Sequence, residues 1–444
     1  MRAILTPLTL AGLLTACGSS PSNADINDFI GANPKLVAPA KTFLPTVNVA
    51  DAKAWPAGMM PKAAPGLAVN EFAGGLDHPR WLYRLANGDI LVAESQSPGT
   101  DKTGGTIKGN IQKLLMSKAG SGATASANKI LLLRDTNGDG IAETKTVLID
   151  HDLYSPFGMA VIGSELFVAN ANGLVAFPFT PGQTAITARP RLVTPLPSGY
   201  NHHWTKSLVA SPDGRLLYVG VGSNSNVGEN GLEMEKGRAA VWQIDPKSGR
   251  HAIFASGIRN PIGIAFNPWN GGLWVVANER DELGNDLVPD YLTAVQKGAF
   301  YGWPFSYYGQ HVDTRPPTNP AMVAKAIAPD YALGPHVASL GLTFSTGQKL
   351  GGGFATGAFV GEHGSWNRKP ASGYQVVFVP FAGAKPSGAK PIPILTGFRV
   401  GNTAYGRPVG VQIGKDGSLL VADDVGGKVW RVSAGTLPHK VASR

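Results

Sequence analysis

A β-propeller of six blades, each a four-stranded antiparallel sheet, is the all-β architecture this sequence predicts, on three observations. A unit built of a Pro or Gly turn, an apolar strand, a turn of the Asn-Gly or Asp-Gly kind and a second apolar strand recurs six times. The chain of 444 residues holds 57 Gly and 34 Pro while 43% of it is hydrophobic, which suits many short strands and tight turns rather than disorder. Finally, an apolar run ahead of the first unit, Gly66 to Phe72, is placed to add an outer strand to the last blade. Such a strand closes the ring and leaves no sheet edge exposed.

The units follow one another with a period of roughly 40 to 75 residues. The first is HPRWLYRLANGDILVAES (His78 to Ser95), the second SPFGMAVIGSELFVANANGLVAFPF (Ser155 to Phe179) and the third HHWTKSLVASPDGRLLYVGVGSNS (His202 to Ser225). The fourth, from Ser256, places strands at Ile262 to Phe266 and Leu273 to Ala277 around the hairpin Trp269 to Gly272. The fifth is degenerate, LGLTFSTG with ATGAFVGEHGSWN between Leu340 and Asn367, and the sixth is GRPVGVQIGKDGSLLVADDVGGKVWRV (Gly406 to Val432). Two insertions break the period, Thr100 to Asn128 and Asp281 to Tyr308. Long loops of this kind usually build a site.

Ahead of the propeller the chain divides in two. Met1-Arg2 opens an apolar stretch, Ala3 to Leu14, the size of a signal-peptide core and too short to span a bilayer. It ends in Leu14-Thr15-Ala16-Cys17-Gly18, which resembles the lipobox of bacterial lipoproteins, with the sole cysteine where lipidation requires it. Cys17 is thus expected to be the acylated first residue of the mature chain, anchored on the periplasmic side of a membrane, the outer one given Gly18. Residues 18–66 read as a tether and wrapping segment whose Phe43 and Trp55 dock on the surface. The propeller domain is expected over 67–436, with a tail at 437–444.

The formal net charge of +9 raises nucleic acid as a partner, but no run of five Lys or Arg exists. An anionic small ligand or membrane surface fits better. The candidate chemistry stands at the start of the apolar strands. Arg259-Asn260 precedes one strand of the fourth unit, and the oxygen-rich run Asn278-Glu279-Arg280-Asp281-Glu282, with Asp286, follows the next. In a hairpin both places lie at one end, so a guanidinium and a cluster of oxygen ligands converge. Asn201-His202-His203-Trp204 holds the same place in the third unit, and neighbours on an extended strand point opposite ways, so one histidine faces inward as a candidate general base. Arg407 and the pair Arg368-Lys369 add cations, and together these make a pocket for a polyanion. Separately, Asp135, Asn137 and Asp139, with Glu143, alternate around glycines as in a calcium loop; the twelfth-position acid of a full EF-hand is missing, and a solvated Asx turn reads equally well.

IRNPIGIAFNPWNGGLWVVANER, KGAFYGWPF, NHHWTKSLVASPDG, GEHGSWNRK and GRPVGVQIGKDGSLLVADD resemble the sorbosone dehydrogenase branch of the soluble quinoprotein glucose/sorbosone dehydrogenases, from about Leu67 to the C-terminus. The resemblance implies a six-bladed propeller that binds pyrroloquinoline quinone (PQQ) and Ca²⁺ and oxidises an aldose or sugar aldehyde, passing electrons to an external acceptor. By position it implies His203 as catalytic base, Arg259 beside the quinone carbonyls, Asn260, Arg407 and Arg368 or Lys369 as cofactor contacts, and the carbonyls of Arg280 and Asp281 at the calcium. Three positions depart from the family: Val409 replaces a second arginine, Leu153 a glutamine, and Arg280-Asp281 a Gly-Pro. Two rival readings are a calcium-dependent propeller lactonase and a non-catalytic envelope binding propeller.

Overall fold

The computed structural model describes residues 20–40, 46–98, 125–199 and 203–435. Six sheets of four or more strands follow one another along these residues. Blade one is Pro79–Arg84, Ile90–Glu94, Lys129–Arg134 and Thr144–Ile149; blade two is Met159–Ile162, Glu165–Asn170, Gly173–Pro178 and Arg191–Pro195. Blade three is Lys206–Ala210, Leu217–Val221, Ala240–Ile244 and His251–Ser256; blade four is Pro261–Phe266, Leu273–Ala277, Pro289–Ala294 and Tyr331–Pro335. Blade five is Ser339–Phe344, Gly357–Glu362, Gln375–Ala382 and Ile392–Thr396, with two short extra strands, so the unit most degenerate in sequence forms the largest sheet. Blade six is Pro408–Ile413, Leu419–Asp423 and Lys428–Ala434, and its fourth strand is Leu67–Gly74 from the far end of the chain. All pairings within the blades are antiparallel, and the fold is an all-β propeller.

From blade two round to blade one, the first strand of each blade packs against the first strand of the next. Between blades one and two the Tyr83 hydroxyl accepts the Val161 N–H at 3.0 Å. Such close packing needs a residue without a side chain on the strand face. A Cβ on Gly341 would lie 2.1 Å from the Val409 carbonyl oxygen, and one on Gly410 would lie 2.9 Å from that of Arg80. The recurrent Gly of SLGL and PVGV therefore follows from the narrow axis of the ring. Between blades, apolar faces interdigitate: Trp81, Leu91, Phe157 and Met159 share one buried cluster, and Val411, Val421, Phe359 and Phe378 another.

Two expectations need correction. Trp55 does not dock on the surface but is buried against Phe398, Tyr405 and Trp430, because its indole N–H finds a buried acceptor in the Asp423 carboxylate. Phe43 lies outside the described residues. The stretch Asp281 to Tyr308 is not all insertion, since Pro289–Ala294 pairs as the third strand of blade four. The inserted part falls after that strand and carries the hairpin Ser306–Tyr307 with His311–Val312 and the short helix Pro320–Val323. Most of the stretch from Thr100 to Asn128 lies outside the described residues. No helix among the described residues is long and apolar enough to cross a membrane.

Candidate active site

Antiparallel order puts the start of each first strand and the end of each second strand at the same end of the ring. Residues 203–205, 259–260, 336–338 and 407 thus share one mouth with residues 222–226, 278–281, 362–368 and 423–424.

His203 stands between blades three and four. Its Nδ1 lies 2.9 Å from the Ser223 carbonyl oxygen and 3.0 Å from the Ser223 hydroxyl. A carbonyl only accepts, so Nδ1 carries a proton, and in the neutral imidazole Nε2 is the basic nitrogen. Asn260 is brought beside it across Gly222, where a Cβ would lie 2.4 Å from both Asn260 Oδ1 and His203 Cβ. Asn260 Oδ1 is buried with no hydrogen-bond partner. Trp204 roofs this end, with the Arg80 guanidinium 5.6 Å from its ring centre and Phe157 at its edge. Beneath, the fully buried Lys206 ammonium donates to the Trp204 carbonyl at 3.2 Å, and burial, with Arg238 nearby, lowers its pKa to about 7.

On one side of the mouth Arg259 and Asp281 are locked together. Arg259 donates Nη2 to Asp281 Oδ2 at 3.3 Å, Nη1 to the Glu279 carbonyl at 2.7 Å, and Nε and Nη2 to the backbone and side-chain oxygens of Asn226 at 3.2 and 3.0 Å. Asn226 also accepts the Asp281 N–H at 2.9 Å. The other Asp281 carboxylate oxygen accepts from Asn367 Nδ2 at 2.7 Å and lies 3.7 Å from His336 Nδ1. His336 donates Nε2 to the Gly284 carbonyl, and burial holds its pKa below the ordinary value against the pull of Asp281. Residues of three blades therefore meet at Asp281, and each of its carboxylate oxygens has a donor.

Across the mouth the pattern differs. Asp424, at the end of the second strand of blade six, takes Arg80 Nη1 on Oδ2 and faces His363 Nε2 at 3.0 and 3.1 Å. Burial would raise this carboxyl, yet His363 and Arg80 hold it well below the usual carboxylate range. Burial in turn lowers the His363 pKa, only partly offset by Asp424. Arg407 lies over the Tyr374 ring at 4.9 Å and has no carboxylate partner among the described residues, donating instead to the Tyr374 hydroxyl at 3.1 Å and the Gly364 carbonyl at 3.4 Å. Among the described residues, Arg80 Nε and Arg407 Nε are both buried donors with no acceptor.

The remaining candidates are taken up by protein partners or lie elsewhere. Arg368 is buried and spends its guanidinium on Asp286 at 2.8 Å and on the carbonyls of Asn285 and Pro370. The backbone of Lys369 is held by Asn285 Oδ1 on one side and by the Ser22 N–H on the other. Arg280 is wholly buried; Glu279, Asp313 and the Pro304 and Ser306 carbonyls take its side chain. The Asp281 carbonyl, expected at a calcium, accepts N–H from Arg315 at 2.8 Å and from Asn226 at 3.2 Å. Asp135, Asp139 and Glu143 bring one oxygen each within 4.8 Å of one another, but on the loop between the third and fourth strands of blade one, at the opposite end of the ring. There Asp135 accepts the Gly138 and Gly140 N–H groups, Asn137 that of Asp139, and Asp139 that of Ile141. Cys17 and His202 lie outside the described residues. Sequence reasoning passed over Arg80, His363, Asp424 and Asn226, although the first three lie in the quoted repeats. For those three the available signal was a charged residue at the mouth end of an apolar strand.

The chain belongs to the TrAA12-like family, whose model matches residues 107–292 and 310–435. It is 25% identical over 431 residues to a pyrroloquinoline quinone-dependent pyranose dehydrogenase of Coprinopsis cinerea, covering 83% of this chain and 54% of that one. An uncharacterised protein of Borreliella burgdorferi is 30% identical over 224 residues, 49% of this chain and 56% of that protein. The chain spans about half the length of the curated relatives it matches. Among solved structures, the holo form of the PQQ domain of pyranose dehydrogenase from Coprinopsis cinerea aligns with a TM-score of 0.67 at 21% identity, covering 87% of this chain and all of that one. A calcium structure of a Trichoderma reesei family AA12 enzyme aligns with a TM-score of 0.68 at 19% identity, covering 88% and 99%.

Proposed function

We propose that this member of the TrAA12-like family is a PQQ-dependent sugar dehydrogenase with His203 as proton acceptor and a cofactor pocket on the Arg80–Arg407 side of the mouth. The carrying observation is the pair of orphan donors, Arg80 Nε and Arg407 Nε, flanking Asp424 in a buried cationic site. A buried N–H without an acceptor costs about 1–3 kcal/mol, and a polyanion relieves it. The residues fit a tricarboxylate quinone in this respect: the two arginines supply cationic donors, and Asn260 Oδ1 supplies an unpartnered acceptor. The name of the Coprinopsis relative points the same way. A lactonase needs no such donors.

When bound, PQQ supplies a two-electron acceptor for a hydride leaving a sugar carbon. The protein's part is binding, orientation and proton transfer. His203 binds Ser223 through Nδ1 and presents the Nε2 lone pair, which takes the proton of the substrate hydroxyl. Arg259 already makes four hydrogen bonds to Asn226, Glu279 and Asp281, so its role is to hold the shape of the mouth rather than to aim its whole fork at a ligand. Calcium at the carbonyls of Arg280 and Asp281 does not fit the donor pattern, since two N–H groups point at the Asp281 oxygen where a cation would have to stand.

The test is reconstitution. Protein titrated with PQQ, with and without Ca²⁺, should show a stoichiometric change in quinone absorbance and reduce a dye when aldoses or sugar aldehydes are added. Absence of any absorbance change at stoichiometric PQQ would sink the reading. The sugar, sorbosone-like or otherwise, would be ranked by kcat/KM across that panel.

A second element of the proposal is a lipid anchor at Cys17, on the periplasmic side of an outer membrane. Ser20 is held at the rim by Asn285, so three residues, about 10 Å at most, would separate the anchor from the mouth. Cys17→Ser should move the protein to the soluble fraction, and an unchanged membrane fraction would remove the idea.

A further inference from the structure

The segment ahead of the propeller runs along the rim of the mouth. Asn48 pairs its N–H with the Trp366 carbonyl and its amide with the Arg368 carbonyl, and Asp51–Ala52 forms a parallel pair with Thr403–Ala404. It carries Trp55, whose indole N–H donates to Asp423 Oδ2 at 2.8 Å. That carboxylate is completely buried and takes four N–H groups. Oδ2 also accepts from Trp430 at 3.0 Å, while Oδ1 accepts from the backbone of Arg407 and of Gly426 at 2.8 Å each. The cradle is closed by two glycines, since a Cβ on either Gly406 or Gly426 would lie 2.2 Å from Oδ2.

Asp423 and Asp424 are consecutive at the end of a strand, so they face opposite ways. Asp424 faces the mouth, where it holds Arg80 and His363; Asp423 faces the backing layer and fixes the Arg407 main chain. One dipeptide therefore sets the positions of Arg80 and Arg407, the two arginines whose orphan donors flank Asp424. We infer that Asp423 and Trp55 are positioning residues for the cofactor pocket, and that the wrapping segment completes that pocket rather than merely decorating the ring. The inference rests on the reading of the mouth as a PQQ site.

The test uses the full chain. Trp55→Phe keeps the ring and removes the N–H, and Asp423→Asn keeps the shape and replaces an acceptor with a donor. In the protein without cofactor, hydrogen exchange followed by mass spectrometry should speed up in peptides covering Arg407 and Asp424, and stay unchanged in blades two and three. Unchanged exchange at Arg407 overturns the inference whether or not PQQ binds. With PQQ, the Kd read from quinone absorbance should rise roughly tenfold in Trp55→Phe, the scale of one lost hydrogen bond to a charged group. In an Arg407→Ala background the same substitution should add little, because its effect runs through Arg407. An equal tenfold rise there would mean general destabilisation and would also overturn it. Should wild-type protein bind no PQQ, the proposed function fails, while the exchange experiment still decides this point.

Discussion

The two sides of the mouth hold similar residues and treat them differently. On the side of blades three to five, Arg259 and Asp281 form a closed set: four protein bonds hold the guanidinium, Arg259 and Asn367 each donate to one carboxylate oxygen of Asp281, and Asn226 and Arg315 donate to its backbone carbonyl. On the side of blades six and one, Asp424 binds Arg80 and His363, but Arg80 Nε and Arg407 Nε lack acceptors. The closed pair spends its hydrogen bonds on protein, so that removing one partner is costly; an open set keeps binding capacity for something that is not protein. The contrast teaches that a cation at the mouth is no sign of a ligand contact until its hydrogen bonds are counted.

The largest expected effect lies at the seam between the sides. His203→Gln keeps the reach and polarity of the side chain but has no basic nitrogen. Turnover should fall by roughly 10²-fold or more while PQQ still binds, the usual scale for losing a general base. Stopped-flow reduction of bound PQQ by sugar separates the two quantities. A variant with normal turnover would move the base elsewhere and leave the seam with a structural role only.

Next comes a direct trial of the contrast. Arg80→Ala or Arg407→Ala should raise the Kd for PQQ roughly 10- to 100-fold, since each removes a charge-assisted donor. Asn226→Ala should do the reverse, with PQQ affinity changed little per folded molecule and stability lowered by about 3 kcal/mol, because Arg259 and Asp281 both lose partners in a buried place. Urea unfolding and PQQ titration on the same three proteins decide it. If Asn226→Ala weakens PQQ as much as Arg407→Ala, the two sides are not different in kind.

How much of this was legible in the sequence follows from the same distinction. The ring was, because each blade restates a turn, a strand and a hairpin, and because Leu67–Gly74 is an apolar run with no other sheet to join. Residues that open a strand were legible too: His203, Arg259, Asn260 and Arg407 each follow a turn at an equivalent place in the repeat. Residues that close a strand were not. Asp424, His363 and Asn226 follow apolar runs, where a polar residue reads as the start of a turn, and only pairing across blades makes them part of a site. Arg368 illustrates the converse. Its charge suggested a cofactor contact, but its partner Asp286 stands 82 residues earlier and becomes a neighbour only through blade packing.

A smaller effect is expected at Glu362, which immediately precedes His363. It is completely buried with Gln375 Nε2 at 2.9 Å, and burial pushes its pKa up to about 8 from an ordinary 4.5. A carboxyl raised in the folded state contributes stability that is fully present below pH 4.5, erodes as the pH rises and is gone above about pH 8. Glu362→Gln keeps the shape and cannot ionise, so its stability relative to wild type should improve steadily between pH 5 and 8, by a few kcal/mol in order of magnitude. Parallel urea midpoints across that range would show that Glu362 is ionised in the native protein at neutral pH.

The smallest effect probes the closed side where the calcium expectation and the observed bonds disagree. Arg315 is partly exposed and donates Nη1 to the Asp281 carbonyl at 2.8 Å, while its other nitrogens bind Asp313. Asp313 keeps Arg280 as a partner, so Arg315→Ala should leave the fold standing. The substitution removes one N–H from the Asp281 oxygen and one positive charge from its surroundings. Both changes favour a cation at that oxygen, because a hard metal needs the lone pair and is repelled by a guanidinium. If the carbonyl ligates Ca²⁺ in the working enzyme, the concentration of Ca²⁺ that half-restores activity after chelation should fall roughly threefold or more in Arg315→Ala, since exchanging one N–H for the ion then costs about 1 kcal/mol less. If the half-restoring concentration stays where it is in wild type, the Asp281 carbonyl is no calcium ligand, and the closed side of the mouth is closed to metal as well.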